Sequence, residues 1–145
     1  MKFSFFIHLL SAMLISVSVF GVLVVESFLR KSQGIATLTL HKLSQSLSRF
    51  ASFGGVLALL TGIYNWVSIG ETGGWLIVKI ILFVWFVVSG IIAGRLYFSK
   101  RGEVLSRENF SDDEIFKINR AIWNYSVVNA VVFVLIVFLA VFKPF

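Results

Sequence analysis

Residues 66 to 82 read WVSIGETGGWLIVKIIL. The five residues from Gly70 to Gly74 form a short, glycine-rich break between two apolar runs. A connection this short between two helices predicts an antiparallel hairpin. The flanking tryptophans, Trp66 and Trp75, belong to the residue type that collects where a bilayer meets water. One turn past Trp75, Lys79 interrupts the apolar run.

The runs on both sides are long enough to cross a bilayer core, which takes about 20 mostly apolar residues. They cover 50–69 and 75–98, and two further runs cover 3–29 and 122–142. Backbone groups in lipid must bond within their own segment, so each crossing is a helix. The fold class predicted is all-α: a polytopic membrane protein, one domain, a four-transmembrane-helix bundle.

Composition agrees. Of 145 residues 58% are hydrophobic and 14% charged, against about 45–50% apolar in an ordinary soluble domain. Cysteine is absent, which excludes a disulfide, a thiolate ligand and a cysteine nucleophile. The net charge of +6 would suggest nucleic acid as the partner of a soluble protein. Here the basic residues sit in loops beside apolar runs, so the predicted partner is the lipid bilayer and not nucleic acid.

Orientation follows from those loops. The first holds Arg30, Lys31, Lys42 and Arg49; the second holds Lys100, Arg101, Arg107, Lys117 and Arg120, with Arg95 just before it. Four crossings put both loops on one side, and the positive-inside rule makes it the cytoplasm. Both termini then face the periplasm of a bacterial inner membrane. The opening MKFSFFIHLLSAMLISVSVFG has the outline of a signal peptide. It is read as a retained first helix, because its apolar run is long and Arg30 and Lys31 follow it.

Two loop segments carry helical signals. Ile35, Leu38, Leu40, Leu43, Leu47 and Phe50 recur at roughly helical spacing, as an amphipathic segment at the interface or an extension of the second helix. Ser111 with Glu114 forms a capping-box pattern, and Asp112 and Asp113 suit a helix N-terminus. The last helix therefore begins near 112, outside the bilayer, with Ile115, Ile118 and Ile122 covering one face. Small residues four apart, Gly90 with Gly94, Ala51 with Gly55 and Gly54 with Ala58, predict close packing within the bundle, or alternatively a homodimer seam or a membrane-protein partner.

Polar residues inside the runs are the candidate site residues. His8 can ligate haem or relay a proton, or can simply bond water or backbone near the surface. His41 lies in the cytoplasmic linker, about a membrane's thickness away, so the two histidines cannot share one haem or one metal. Lys79 either snorkels to the interface or points into an outward pocket, with His8 and Asn65, where it holds a carboxylate. Glu26 is expected to pair with Arg95 or Arg49; a proton-handling role is the alternative. Asn129 is read as a tie between helices, and Asn124 is left open between a tie and a pocket lining.

The order of an N-terminal helix, a basic linker, GGWLIVK, GRL at 94–96 and a final VFKPF resembles small membrane proteins related to the HemJ-type protoporphyrinogen oxidases and the CopD-like copper-resistance group. The resemblance rests on Trp75 with Lys79, the Lys79-to-Arg95 spacing and Lys143 to Phe145. It implies haem b and oxidation of protoporphyrinogen, with Lys79 and Arg95 fitting the pattern. Where the group has a histidine and a tryptophan in the first helix this chain has Ser11 and Ser18, and where it has a later histidine this chain has Gly90. WNYSVV retains Asn124 without the group's glutamate or proline. For copper, Met1, Met13 and His8 make a poor ligand set. These departures predict a divergent member lacking the haem-ligand pattern: a non-enzymatic membrane protein, free-standing or an accessory subunit. The alternative is a haem- or porphyrin-dependent oxidoreductase with His8 as ligand.

Overall fold

The computed structural model describes residues 2–32, 35–70, 73–107 and 111–144. The expectations that fell on Met1, on Glu71 and Thr72 in the central loop, and on Phe145 lie outside them. The described residues form four long helices: α1 (Lys2–Leu29), α2 (Ile35–Ile69), α3 (Gly74–Leu105) and α4 (Asp112–Phe142). All four are long and apolar enough to cross a membrane.

α1 and α2 make an antiparallel pair packed along their whole length. The register is visible in four side-chain contacts: Ser4 meets Asn65, His8 meets Thr61, Glu26 meets Ser44 and Ser32 meets Thr37. A step of four along α1 is thus answered by a step of four back along α2, as helical neighbours require. The approach is close because the α2 face is small. A Cβ on Gly54 would come within 3.1 Å of Ile15 Cγ1 and 3.2 Å of the Ser11 carbonyl oxygen.

α4 packs against both α1 and α3, while α2 meets α3 at few positions. Around the bundle the order is therefore α2, α1, α4, α3, with a cleft between the last and the first. α2 and α3, expected as a hairpin, stand apart. Two apolar clusters fill the interior. Ile15, Val19, Ala58, Phe86, Ala130, Phe133 and Ile136 form one. Val22, Ala93, Phe98, Val104, Ile118 and Ile122 form the other, nearer the basic loops.

The linker before Phe50 is helical and belongs to α2, with its polarity turned inward. Thr37, His41 and Ser44 are buried, while Ile35, Leu38 and Leu43 are exposed. α3 holds a π-helical turn over Gly94–Phe98. Its buried positions run Phe86, Ala93, then Phe98, Arg101 and Val104. The step of five from Ala93 to Phe98 is the extra residue that a π turn accommodates.

At the start of α4 the capping box is not made. Ser111 occupies the N-cap without a side-chain cap bond, and the Glu114 carboxylate faces Arg107 at 3.8 Å instead. The acidic first turn, Asp112 to Glu114, still lies where the helix dipole favours it. The other end of α4 closes on Lys143 in the left-handed conformation, φ 44°, its N–H donating to the Leu139 carbonyl, and Pro144 stops the helix.

Candidate functional site

Polar side chains gather at both ends of the bundle. At the end carrying the basic loops, Arg101 and Glu26 are fully buried. Arg101 Nη1 donates to Glu26 Oε2 at 2.6 Å and Nη2 donates to Oε1 at 2.8 Å, a two-pronged pair. Arg101 Nε donates to His41 Nδ1 at 3.0 Å, and Nη1 also reaches Asn119 Oδ1 at 3.4 Å. Ser44 Oγ donates to Glu26 Oε1 at 2.6 Å. One guanidinium on α3 thus binds α1, α2 and α4 at once. The partner expected for Glu26 was Arg95 or Arg49; it is Arg101, and both other arginines are exposed. Arg95 follows the buried Ala93 by two residues, about 200° around the helix, and so faces outward, while the added residue of the π turn rotates Arg101 inward.

The Arg101 contact also fixes the His41 tautomer. Nδ1 accepts, so in the neutral ring the hydrogen sits on Nε2. That nitrogen lies against Gly102, where an added Cβ would stand 3.1 Å away. His41 precedes the apolar stretch that starts at Phe50, and burial together with the Arg101 charge pushes its imidazole down to about 4, against a smaller opposing pull from Glu26. A buried, multiply bonded cluster of this kind locks helix ends together.

The other end, where the chain termini lie, holds the candidate site. Ser4 Oγ donates to Asn65 Oδ1 at 2.7 Å, and His8 Nδ1 lies 2.9 Å from Thr61 Oγ1. Thr61 spends its one O–H on the Leu57 carbonyl at 2.6 Å, so toward His8 it can only accept. His8 therefore carries its hydrogen on Nδ1 and presents the Nε2 lone pair. Gly62 makes room for the ring, since a Cβ there would stand 3.3 Å from His8 Cε1. The Lys79 ammonium is near enough for its charge to act on this imidazole. It also lies 5.9 Å from the Trp75 ring centroid, while Lys143 Nζ lies 5.2 Å from the same ring. Asn65 is buried and its Nδ2 has no partner among the described residues.

The structure thus brings together His8, Asn65 and Lys79 and adds Ser4 and Thr61 to them. Glu26 is at the opposite end, Arg95 and Asn124 are exposed, and none of these three joins the set. Chemically the site sets an amide N–H donor beside an imidazole acceptor, with the Lys79 charge acting on the ring. That suits an anionic oxygen ligand more than a metal.

A paired-histidine haem does not fit. His8 contacts Thr61 and His41 lies twenty residues earlier on α2, about 30 Å along the helix. No group of three His, Cys, Asp or Glu side chains converges among the described residues. The cleft between α2 and α3 is lined by neither histidine. No family model, no curated protein and no solved structure matches this chain.

Proposed function

We propose that the chain is a non-enzymatic integral membrane protein with four crossings, lodged in a bacterial inner membrane, either free-standing or as a small accessory subunit of a membrane complex. One observation carries the membrane reading: the polarity of the bundle is inverted. Ser11, Ser18, Glu26, Thr37, His41, Ser44, Arg101, Ser126 and Asn129 are buried. Large apolar side chains cover the outside, among them Val67 at 76% exposure and Phe3 at 74%. A soluble monomer rarely exposes an apolar patch beyond a few hundred Å². Lipid suits such a surface, and it makes internal pairing of polar groups necessary.

The basic end is then cytoplasmic and the His8 end periplasmic. The absence of catalysis is supported by how the charges are used. Glu26 and His41 are both bound to Arg101, which makes a joint of them and not a reacting pair. At the periplasmic end, Lys79 with Asn65 and His8 forms a small cationic site that would hold a carboxylate or similar anion of a ligand or partner. The kinship suggested by Trp75, Lys79 and Arg95 enters this proposal as a scaffold that keeps its anchoring residues without the haem ligands.

A haem- or porphyrin-dependent oxidoreductase is the second reading, and one atom favours it: the unprotonated His8 Nε2. An absorbance spectrum of protein purified from haem-replete cells separates the two. We expect a colourless, folded protein, with any partner present at fixed stoichiometry. A Soret band that disappears in His8→Ala would overturn the non-enzymatic reading.

A further inference from the structure

The small residues of α2 and α3 do not all serve helix packing. Gly54 is pressed against α1, but a Cβ on Gly55 or on Gly94 would meet nothing within 4 Å. Both have ordinary helical conformation, with no positive φ. Neither of the usual reasons for a glycine, a left-handed backbone or a close neighbour, applies at these positions. Both residues line the cleft between α2 and α3, with Ala51 and Gly90 beside them. The cleft volume is about 390 Å³, within the range of small-molecule sites.

Two polar features mark this cleft as a binding site. Asn129, on its floor, is 9% exposed, and among the described residues its Oδ1 has no hydrogen-bond partner. An unpaired amide oxygen at such a depth costs free energy unless something supplies a donor. Arg49 lines the same cleft toward the basic end, and among the described residues it makes no ion pair. Its side chain leans toward the N-terminus of α2, as helical side chains do, which is the end placed at the cytoplasmic surface.

We propose that this cleft holds an anionic glycerophospholipid from the cytoplasmic leaflet. The phosphate pairs with Arg49, and one acyl chain lies along the glycine-lined walls past Asn129. The opening faces sideways between two helices that stand apart, so a lipid enters from the bilayer without crossing the protein. The inference rests on the membrane reading above.

The test uses the full chain in lipid nanodiscs of phosphatidylcholine doped with a photoreactive phospholipid, carrying a diazirine on one acyl chain and either a phosphatidylglycerol or a phosphatidylcholine head group. Cross-links are mapped by mass spectrometry. Phosphatidylglycerol should label residues 45–59 and 86–98 about fivefold more than phosphatidylcholine, since one surface cation is worth about 1 kcal/mol toward an anionic lipid. Arg49→Gln should bring that ratio to unity. Gly55→Leu and Gly94→Leu should abolish labelling in the cleft while the thermal melt is unchanged, since a Cβ at either position meets nothing within 4 Å and the rest of the side chain enters open cleft. Equal labelling by both lipids, or cleft labelling that survives both leucines, would overturn the proposal. Failure of the membrane reading looks different: neither lipid would label the outer faces of any helix.

Discussion

Arg101 is the residue on which the basic end depends. It fixes the inner ends of four helices through Glu26, His41 and Asn119. Removing one member of a fully buried ion pair leaves the other charge without compensation, at about 3–5 kcal/mol. Arg101→Ala or Glu26→Ala should each lower stability by that much in a detergent thermal or denaturant titration. The double change Glu26→Leu with Arg101→Met should recover most of the loss, because a well-packed apolar pair often does as well as a buried ionic one. His41 adds a pH dependence. The unfolded imidazole takes up a proton near 6.5, whereas the folded ring, held neutral by burial and Arg101, resists to about 4. Its contribution is complete above about pH 6.5 and is lost as pH falls through the window toward 4. A wild-type melting temperature that drops between pH 7 and pH 5, and a smaller drop in His41→Gln, would show this.

At the scale of the helices, much was legible in the sequence and some was not. Length and apolarity marked all four helices, and spacing in the first linker pointed to a possible extension of α2. The direction of that extension's polar face was not legible. A pattern of leucines is ordinarily assigned to the inside, but in this bundle with an apolar exterior it is Thr37, His41 and Ser44 that turn inward. Arg101 was missed for a related reason. Regular helical spacing from Ala93 points to positions 97 and 100, and the π turn moves the buried stripe to Phe98 and Arg101. A step of five in the buried pattern is the signal that could have found it. The grouping of His8, Lys79 and Asn65 could be anticipated from helix depth, whereas Ser4 and Thr61 were hidden because hydroxyls in apolar helices usually bond their own backbone. Deleting Leu96, an exposed residue in the π turn, should turn that segment α-helical and keep Phe98 and Arg101 facing inward, with a near-native melt. Deleting Ile81, in the regular part, should disrupt packing. The two glycines at 54 and 55 give a paired test of α2. Gly54→Leu should destabilise by about 1–3 kcal/mol through overpacking against Ile15 and the Ser11 carbonyl, and Gly55→Leu should not.

At the scale of the whole molecule, the account holds that an inverted bundle stands in a bilayer with its Arg101 joint inside the cell and its His8–Lys79 site outside. Four crossings would account for the internal pairing of polar groups, the open cleft bordered by two glycines and the basic loops at one end. The natural absence of cysteine makes this directly measurable with single-cysteine variants at exposed positions. The measurement is labelling of Lys143→Cys and Ser106→Cys in intact cells by a maleimide that cannot cross the membrane. The account predicts that Lys143→Cys is labelled at once and Ser106→Cys only after the membrane is permeabilised. Labelling of Ser106→Cys in intact cells, or protection of Lys143→Cys, would contradict it.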